Sequence, residues 1–127
     1  MMQQARILVV DDNPANLQLM LYLLRAFGYE AEGCSDGNAG LTQARSGRFA
    51  LVVSDILMPG IDGYELARAL KAQDELASTP VIAVTALAMP GDRERITTAG
   101  FDGYIKKPIE PRTFVAQLEA FLHASDV

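Results

Sequence analysis

Short apolar runs that stop at polar residues are the feature that most constrains the fold of this chain. Four such runs end, or nearly end, in polar side chains of different kinds. They are residues 7–10 before Asp11 and Asp12, residues 51–53 before Ser54 and Asp55, residues 81–84 before Thr85, and residues 104–105 before Lys106 and Lys107. Runs of this length, bounded by turn residues, are typical of buried strands in a parallel sheet. Because ligands bind beside the carboxyl ends of such strands, these side chains are expected to surround one site.

Helical signals alternate with these strands. Asn13 and Pro14 open a first helix that Gly28 ends, since Asn is a favourable N-cap and Pro is tolerated at the first helical position. The other expected helices cover about residues 37–46, 62–73, 90–99 and 110–123, and the expected strands cover residues 5–10, 30–34, 50–54, 81–84 and 102–105.

This alternation predicts one α/β domain over residues 1–127, with its core at about 5–122. The expected architecture is a flavodoxin-like, doubly wound, five-stranded parallel sheet with five helices and the strand order 2-1-3-4-5. In that order the ligand lies at the switch between the first and third strands, where Asp11, Asp12 and Asp55 would meet.

The loop after the first strand favours a cation over a phosphate. It has Asp11 and Asp12 and no glycine, whereas nucleotide folds place a glycine-rich phosphate cradle here. Clustered carboxylates repel one another unless a cation joins them, and Mg²⁺ accepts one or two carboxylates together with phosphate oxygens. The competing interpretation is that Asp12 only caps the first helix, although Asn13 already suits that role.

Asp55 is the candidate nucleophile, since a carboxylate can form an aspartyl phosphate. Thr85 could donate a hydrogen bond to the phosphoryl group, and Lys107 could neutralise part of its charge. Neighbours on a strand point to opposite sides, so only one of Lys106 and Lys107 can face the site. The turn at Pro108, a candidate for a cis peptide bond, favours Lys107.

Composition argues against binding to nucleic acid or anionic lipid and favours a cytoplasmic location. A net charge of −5 without a basic run gives no electrostatic footprint for nucleic acid or for anionic lipid. The single cysteine, Cys34, and a start without a signal-like apolar stretch lead us to expect a cytoplasmic protein with no membrane segment. The sole histidine, His123, is far from the strand ends, so it is expected to be a solvated residue near the end of the last helix.

Four motifs together resemble the receiver domain of bacterial two-component response regulators, of the chemotaxis-regulator type. The resemblance spans about residues 5–122. The motifs are Asp11-Asp12, residues 54–63 (SDILMPGIDG), residues 84–86 (VTA) and residues 104–108 (YIKKP).

The resemblance implies that Asp55 accepts a phosphoryl group from a sensor histidine kinase or a histidine phosphotransfer protein. It implies Asp12, Asp55 and the backbone carbonyl of Leu57 as direct Mg²⁺ ligands, with Asp11 acting largely through water. It also implies that Thr85 and Tyr104 move together.

A switch of this kind would change how the face formed by the fourth helix, fifth strand and fifth helix binds a downstream protein. A phosphorylation-dependent dimer is a further option. Such a protein promotes its own phosphorylation and dephosphorylation, and no separate substrate turnover is expected.

The first helix has two apolar stripes at helical spacing. The stripe expected in the core consists of Leu17, Met20, Leu21, Leu24 and Phe27. The second stripe consists of Ala15, Leu19, Tyr22 and Ala26. A helix that is apolar on two faces has something further to bury, so we expect the second stripe to dock a helix of the phosphodonor domain. Scattered surface apolar residues are the alternative.

Leu57 and Leu87 each lie two residues past a candidate site residue. The resemblance suggests that these positions flank the path of the hydrolytic water. Apolar side chains cannot orient that water, so we hypothesise slow self-dephosphorylation.

Two other classes compete with the receiver interpretation. A phosphohydrolase of the haloacid dehalogenase type also uses an aspartate nucleophile. Such enzymes have an Asp-x-Asp pattern at the nucleophile, whereas this chain has Leu57 two residues after Asp55. A flavin or nucleotide module on the same fold would favour hydroxyls or glycines after the first strand. The sequence leaves open whether the chain is a stand-alone regulator or a receiver from a longer protein.

Overall fold

A computed structural model describes residues 5–86 and 89–125, with side chains to residue 122. The strands are β1 (Arg6–Val10), β2 (Glu30–Cys34), β3 (Leu51–Asp55), β4 (Val81–Thr85) and β5 (Gly103–Lys106). The helices are α1 (Pro14–Ala26), α2 (Gly37–Ser46), α3 (Gly63–Lys71), α4 (Asp92–Ala99) and α5 (Phe114–Ser125).

All strand pairs are parallel, and the sheet order is β2-β1-β3-β4-β5. This confirms the predicted fold class and strand order. The order makes β1 and β3 neighbours although β2 lies between them in the chain. Val10 pairs with Ser54 in the register of these two strands, so the residues that come next, Asp11 and Asp55, lie side by side at this edge of the sheet.

Helices cover both faces of the sheet, which explains why the strands are continuous apolar runs. On β1, Ile7 and Val9 belong to one buried cluster, with α1 and α5. Leu8 and Val10 belong to the opposite cluster, with residues of α2, α3 and α4. No helix among the described residues is long and apolar enough to cross a bilayer.

Side-chain caps fix the starts of the helices that border the site. The Asn13 side chain accepts a hydrogen bond from the Asn16 backbone N–H at 3.0 Å, as an N-cap should. Asp62 and Glu65 form a reciprocal capping box at the start of α3. These caps hold the loops that follow β1 and β3 in defined positions.

Several predicted boundaries shift. The start of α4 moves to Asp92, because Gly91 adopts a left-handed conformation with φ +85°. The start of α5 moves to Phe114 after a turn at residues 111–113. The prediction that Phe27 lies in the core is wrong. Helix α1 ends at Ala26, and the side chain of Phe27, just beyond the helix, is 62% exposed. Leu23 is buried on α1, in the cluster that also contains residues of α5.

Candidate functional site

Three carboxylates meet at the carboxyl ends of β1 and β3. One carboxylate oxygen from each of Asp11, Asp12 and Asp55 lies within 4.8 Å of the other two. Asp11 and Asp55 are buried, and Asp12 is exposed. This spacing is close enough for a single divalent cation to contact more than one of them.

The environment of Asp11 suits contact with a cation. Its Oδ1 accepts a hydrogen bond from the Asn13 backbone N–H at 2.8 Å. Its Oδ2 is buried and has no hydrogen-bond partner among the described residues. Burial raises the pKa of Asp11 above its ordinary value of 3.8, and the nearby charge of Asp55 raises it further. An orphaned oxygen within an all-oxygen donor set fits a hard cation such as Mg²⁺.

Asp55 is held at the end of β3 by two donors to the same oxygen. Its Oδ1 accepts hydrogen bonds from the Ile56 backbone N–H at 2.8 Å and from Lys107 Nζ at 3.1 Å. No described hydrogen bond reaches Oδ2, the other oxygen of this carboxylate. Gly63 lets α3 approach closely, because a Cβ there would lie 2.4 Å from the Asp55 carbonyl oxygen.

The ends of β4 and β5 bring Thr85 and Lys107 to the same edge. Thr85 is the last residue of β4 and is half-buried. The Lys107 backbone N–H donates to the Thr85 carbonyl at 2.8 Å. Lys106 pairs with Thr85 in the sheet register and its side chain is exposed, so Lys107 is the lysine that reaches Asp55. The Lys107–Pro108 peptide bond is cis.

A cleft of about 430 Å³ opens over these residues. Thr85 and Lys107 line it together with Asp12 and Asp55. Leu57, which is 80% exposed, stands at its rim.

Among the lining residues that sequence reasoning did not single out are Tyr64 and Arg95. Both lie on helices, in α3 and α4, and no motif marks them. Their packing depends on how the two helices are rotated against each other, which spacing alone does not give.

Tyr104, the second predicted switch residue, and the predicted docking residues on α1 do not line this cleft, whereas Thr85 does. Tyr104 is half-buried, and the Arg93 guanidinium carbon lies 5.8 Å from the centre of its ring. Three members of the second stripe on α1, Ala15, Tyr22 and Ala26, are exposed. The fourth, Leu19, is half-buried and packs against the core, so the exposed stripe is narrower than expected.

The remaining candidate residues are Cys34, Leu87 and His123. Cys34 ends β2 and is buried, and that burial raises the pKa of its thiol, so it is a packing residue rather than a nucleophile. Leu87 and the side chain of His123 fall outside the described residues.

A family model for the response regulator receiver domain matches residues 7–119. Among curated relatives, the polar-differentiation response regulator DivK of Brucella anthropi is 41% identical over 116 residues. That match covers 91% of this chain and 94% of the relative.

Solved structures agree with the family match. The chemotaxis protein CheY4 of Vibrio cholerae has a TM-score of 0.88 and 30% identity, and the match covers 93% of this chain and 98% of that one. The receiver domain of a sensor histidine kinase from Pseudomonas aeruginosa PAO1 has a TM-score of 0.83, 34% identity, and coverage of 96% and 97%. That structure contains a magnesium ion coordinated in its active-site cleft. These relatives give no support to the phosphohydrolase alternative.

Proposed function

This chain belongs to the response regulator receiver domain family, whose members act in phosphorelay signalling, and on that premise we propose that Asp55 is its phosphoryl acceptor. The observation that carries the proposal is the position of the Asp55 carboxylate. It lies beside two further carboxylates and 3.1 Å from an ammonium group, at the floor of an open cleft. An acceptor carboxylate needs this combination, because charge on the incoming group must be balanced on several sides.

The acidic cluster would hold Mg²⁺. We assign Asp12, Asp55 and the backbone carbonyl of Leu57 as direct ligands, with Asp11 acting largely through water. The unpaired Oδ2 of Asp11 supports a cation here. When bound, the ion would neutralise negative charge on the acceptor and on the phosphoryl oxygens.

The donor would be a phosphorylated histidine on a sensor histidine kinase or a histidine phosphotransfer protein. Asp55 Oδ2, the oxygen that accepts no described hydrogen bond, forms the new bond to phosphorus. The bond between phosphorus and the donor nitrogen breaks, and that nitrogen keeps the electron pair. Lys107 holds the other carboxylate oxygen in place, and the Thr85 hydroxyl donates to a phosphoryl oxygen.

Phosphorylation would then act as a switch. The product carries about −1.5 to −2 charge units and three acceptor oxygens. Movement of Thr85 toward these oxygens would open space for the ring of Tyr104. The face formed by α4, β5 and α5 would change its affinity for a downstream protein target, with phosphorylation-dependent dimerisation as a further outcome.

The remaining properties follow from this role. Residues 1–127 act as one receiver domain without separate substrate turnover, in the cytoplasm, and do not bind nucleic acid or membranes directly. The phosphodonor domain docks on the stripe of Ala15, Leu19, Tyr22 and Ala26, where the 69% exposed ring of Tyr22 offers the largest apolar contact.

Incubation with acetyl phosphate and Mg²⁺ tests this proposal. Intact mass spectrometry should detect one phosphoryl group on the wild-type protein, and none on Asp55→Asn or after chelation of the metal. Continuous hydrolysis of a generic aryl phosphate by the wild-type protein would instead favour a phosphohydrolase. Unchanged labelling of Asp55→Asn would refute Asp55 as the acceptor.

A further inference from the structure

The cleft around Asp55 has an unbalanced set of charges. Among the described residues, four acidic and two basic ones line it. The acids are Asp12, Asp55, Asp62 and Asp92, and the bases are Arg95 and Lys107. A phosphodonor brings negative charge into this acidic cleft, so the position of each cation affects how well the donor binds.

The two cations differ in how they are paired. Lys107 already forms an ion pair with Asp55 at 3.1 Å. Within the described part of the chain, the guanidinium group of Arg95 has no hydrogen-bond or carboxylate partner. Its donors are therefore available to an anion that enters the cleft.

An aromatic platform holds the Arg95 guanidinium group. Its Cζ lies 4.6 Å from the centre of the Tyr64 ring, within the range of a cation–π contact. Tyr64 is itself fixed, since it is 91% buried and meets Phe101 edge-on with ring centres 6.5 Å apart. Gly63, beside it, packs directly on the backbone of Asp55. The platform is thus tied to the strand end that carries the candidate acceptor.

We propose that Arg95, stacked on Tyr64, is a donor-binding residue that contacts the anionic phosphodonor before transfer. This inference rests on the proposed function of Asp55 and adds a residue that determines donor affinity. Arg95 takes no part in bond making. It raises the occupancy of the cleft by small phosphorylated acids, while Lys107 and Thr85 act on the group being transferred.

The test measures phosphorylation by acetyl phosphate at saturating Mg²⁺. The Asp55 oxygen bonds to phosphorus, the bond between phosphorus and the acetate oxygen breaks, and acetate leaves with the electron pair. For Arg95→Gln we expect KM for acetyl phosphate to rise about threefold to tenfold, with the maximal rate within about twofold of wild type. The difference in KM should shrink at about 0.5 M salt, because salt screens the exposed charge.

Arg68→Gln is the matched control. Arg68 is also exposed and lies in α3, and it lines a neighbouring depression between α3 and α4 rather than the cleft around Asp55. The substitution removes the same charge nearby, and KM should stay at the wild-type value. Equal KM values for Arg95→Gln and Arg68→Gln would overturn the proposal.

Two further measurements separate donor binding from general damage. Because Arg95→Gln removes a positive charge from the cleft, its dissociation constant for Mg²⁺ should equal that of wild type or be lower. A distorted site would instead bind both Mg²⁺ and acetyl phosphate more weakly. That joint weakening would count against a donor-binding role. Tyr64→Leu removes the ring on which Arg95 stacks, so KM should rise toward that of Arg95→Gln. A wild-type KM in Tyr64→Leu would show that Arg95 does not depend on this contact.

The two proposals fail in different ways. If wild-type protein gains no phosphoryl group at residue 55, the proposed function fails and this inference fails with it. If Asp55 is phosphorylated but Arg95→Gln has an unchanged KM, only the role of Arg95 is wrong.

Discussion

At the scale of single residues, the properties of the site depend on which of its polar side chains are buried and which are exposed to water. Asp11 is fully buried, and its Oδ2 has no hydrogen-bond partner in the described part of the chain, while Asp12 in the same loop is exposed. The sequence predicted that both would lie near Asp55, because parallel strands end at one edge. It could not tell which of the two would be buried, since neighbouring residues of one loop have the same chemistry.

Asp11→Asn should stabilise the protein in the absence of metal. At neutral pH the substitution removes a buried negative charge, and we expect the free energy of unfolding to rise by about 1 kcal/mol. Urea unfolding in a chelating buffer measures this change in the free energy of unfolding. Asp12→Asn is the control, and its effect should be smaller because Asp12 is exposed. A variant less stable than wild type would contradict the account.

The same comparison should depend on pH. The pKa of Asp11 is raised in the folded state, so its charge disfavours folding at pH values above that raised pKa. As the pH falls through the raised pKa toward 3.8, wild-type Asp11 becomes protonated and loses its penalty. The difference in free energy of unfolding between Asp11→Asn and wild type should therefore become smaller at low pH. A difference that grows at low pH would contradict a raised pKa of Asp11 in the folded state.

Leu57 and Leu87 lead to a prediction about the lifetime of the phosphorylated form. Leu57 is 80% exposed at the rim of the cleft and has no group that could orient water. We expect Leu57→Asn, Leu87→Glu to shorten the phosphoaspartate half-life by about tenfold. The half-life is followed by intact mass after removal of the phosphodonor, and a half-life equal to wild type would sink the hypothesis.

At the scale of elements, strands were easier to predict than helix faces. The strand that carries Asp55 was expected within one residue of its observed bounds, because a doubly buried strand is a continuous apolar run. The orientation of α1 was only partly predicted. Phe27 is exposed where the helix ends, and Leu23 is buried instead. The contact of Tyr64 with Arg95 joins two helices and has no signature in either one.

The exposed stripe on α1 leads to a test of partner docking. Tyr22→Glu places a charge on the most exposed large apolar side chain of α1, and transfer from a phosphorylated histidine donor should slow about tenfold. Rates with acetyl phosphate should stay within about twofold, because that donor does not need the helix.

Gln43→Glu adds the same charge at an exposed position on α2, away from the stripe, and should leave both rates unchanged. Equal loss of both rates in Tyr22→Glu would point to a damaged site rather than to a docking surface.

The contact between α4 and β5 leads to a prediction about the switch. The Arg93 guanidinium group lies over the ring of Tyr104, and a cation–π contact at an exposed site is worth about 0.5–1 kcal/mol. Arg93→Ala should therefore shift the rotamer equilibrium of Tyr104 about twofold to fivefold away from its present position.

Nuclear magnetic resonance of ¹³C-labelled tyrosine can detect this shift. The chain has four tyrosines, so Tyr104→Phe would assign the signal. An unchanged Tyr104 resonance in Arg93→Ala would exclude Arg93 as a restraint on the ring.

At the scale of the whole molecule, the fold acts as a frame that brings distant segments to one edge. Residues 11, 55, 85 and 107 are spread over most of the chain, yet the order β2-β1-β3-β4-β5 collects their backbones at neighbouring strand ends. Sequence patterns predicted this arrangement because strand order and strand polarity together fix which loops meet. The family match over residues 7–119 agrees with a site that requires nearly the entire sheet.

The central claim is that Asp55 receives a phosphoryl group from histidine, and site mapping after transfer tests it most directly. A phosphorylated histidine phosphotransfer domain is mixed with this protein and Mg²⁺, and the labelled residue is located by tandem mass spectrometry. The account predicts one phosphoryl group, on Asp55, and no transfer to Asp55→Asn. A label on the adjacent Ser54, on His123 or on any other residue, or undiminished labelling of Asp55→Asn, would contradict it.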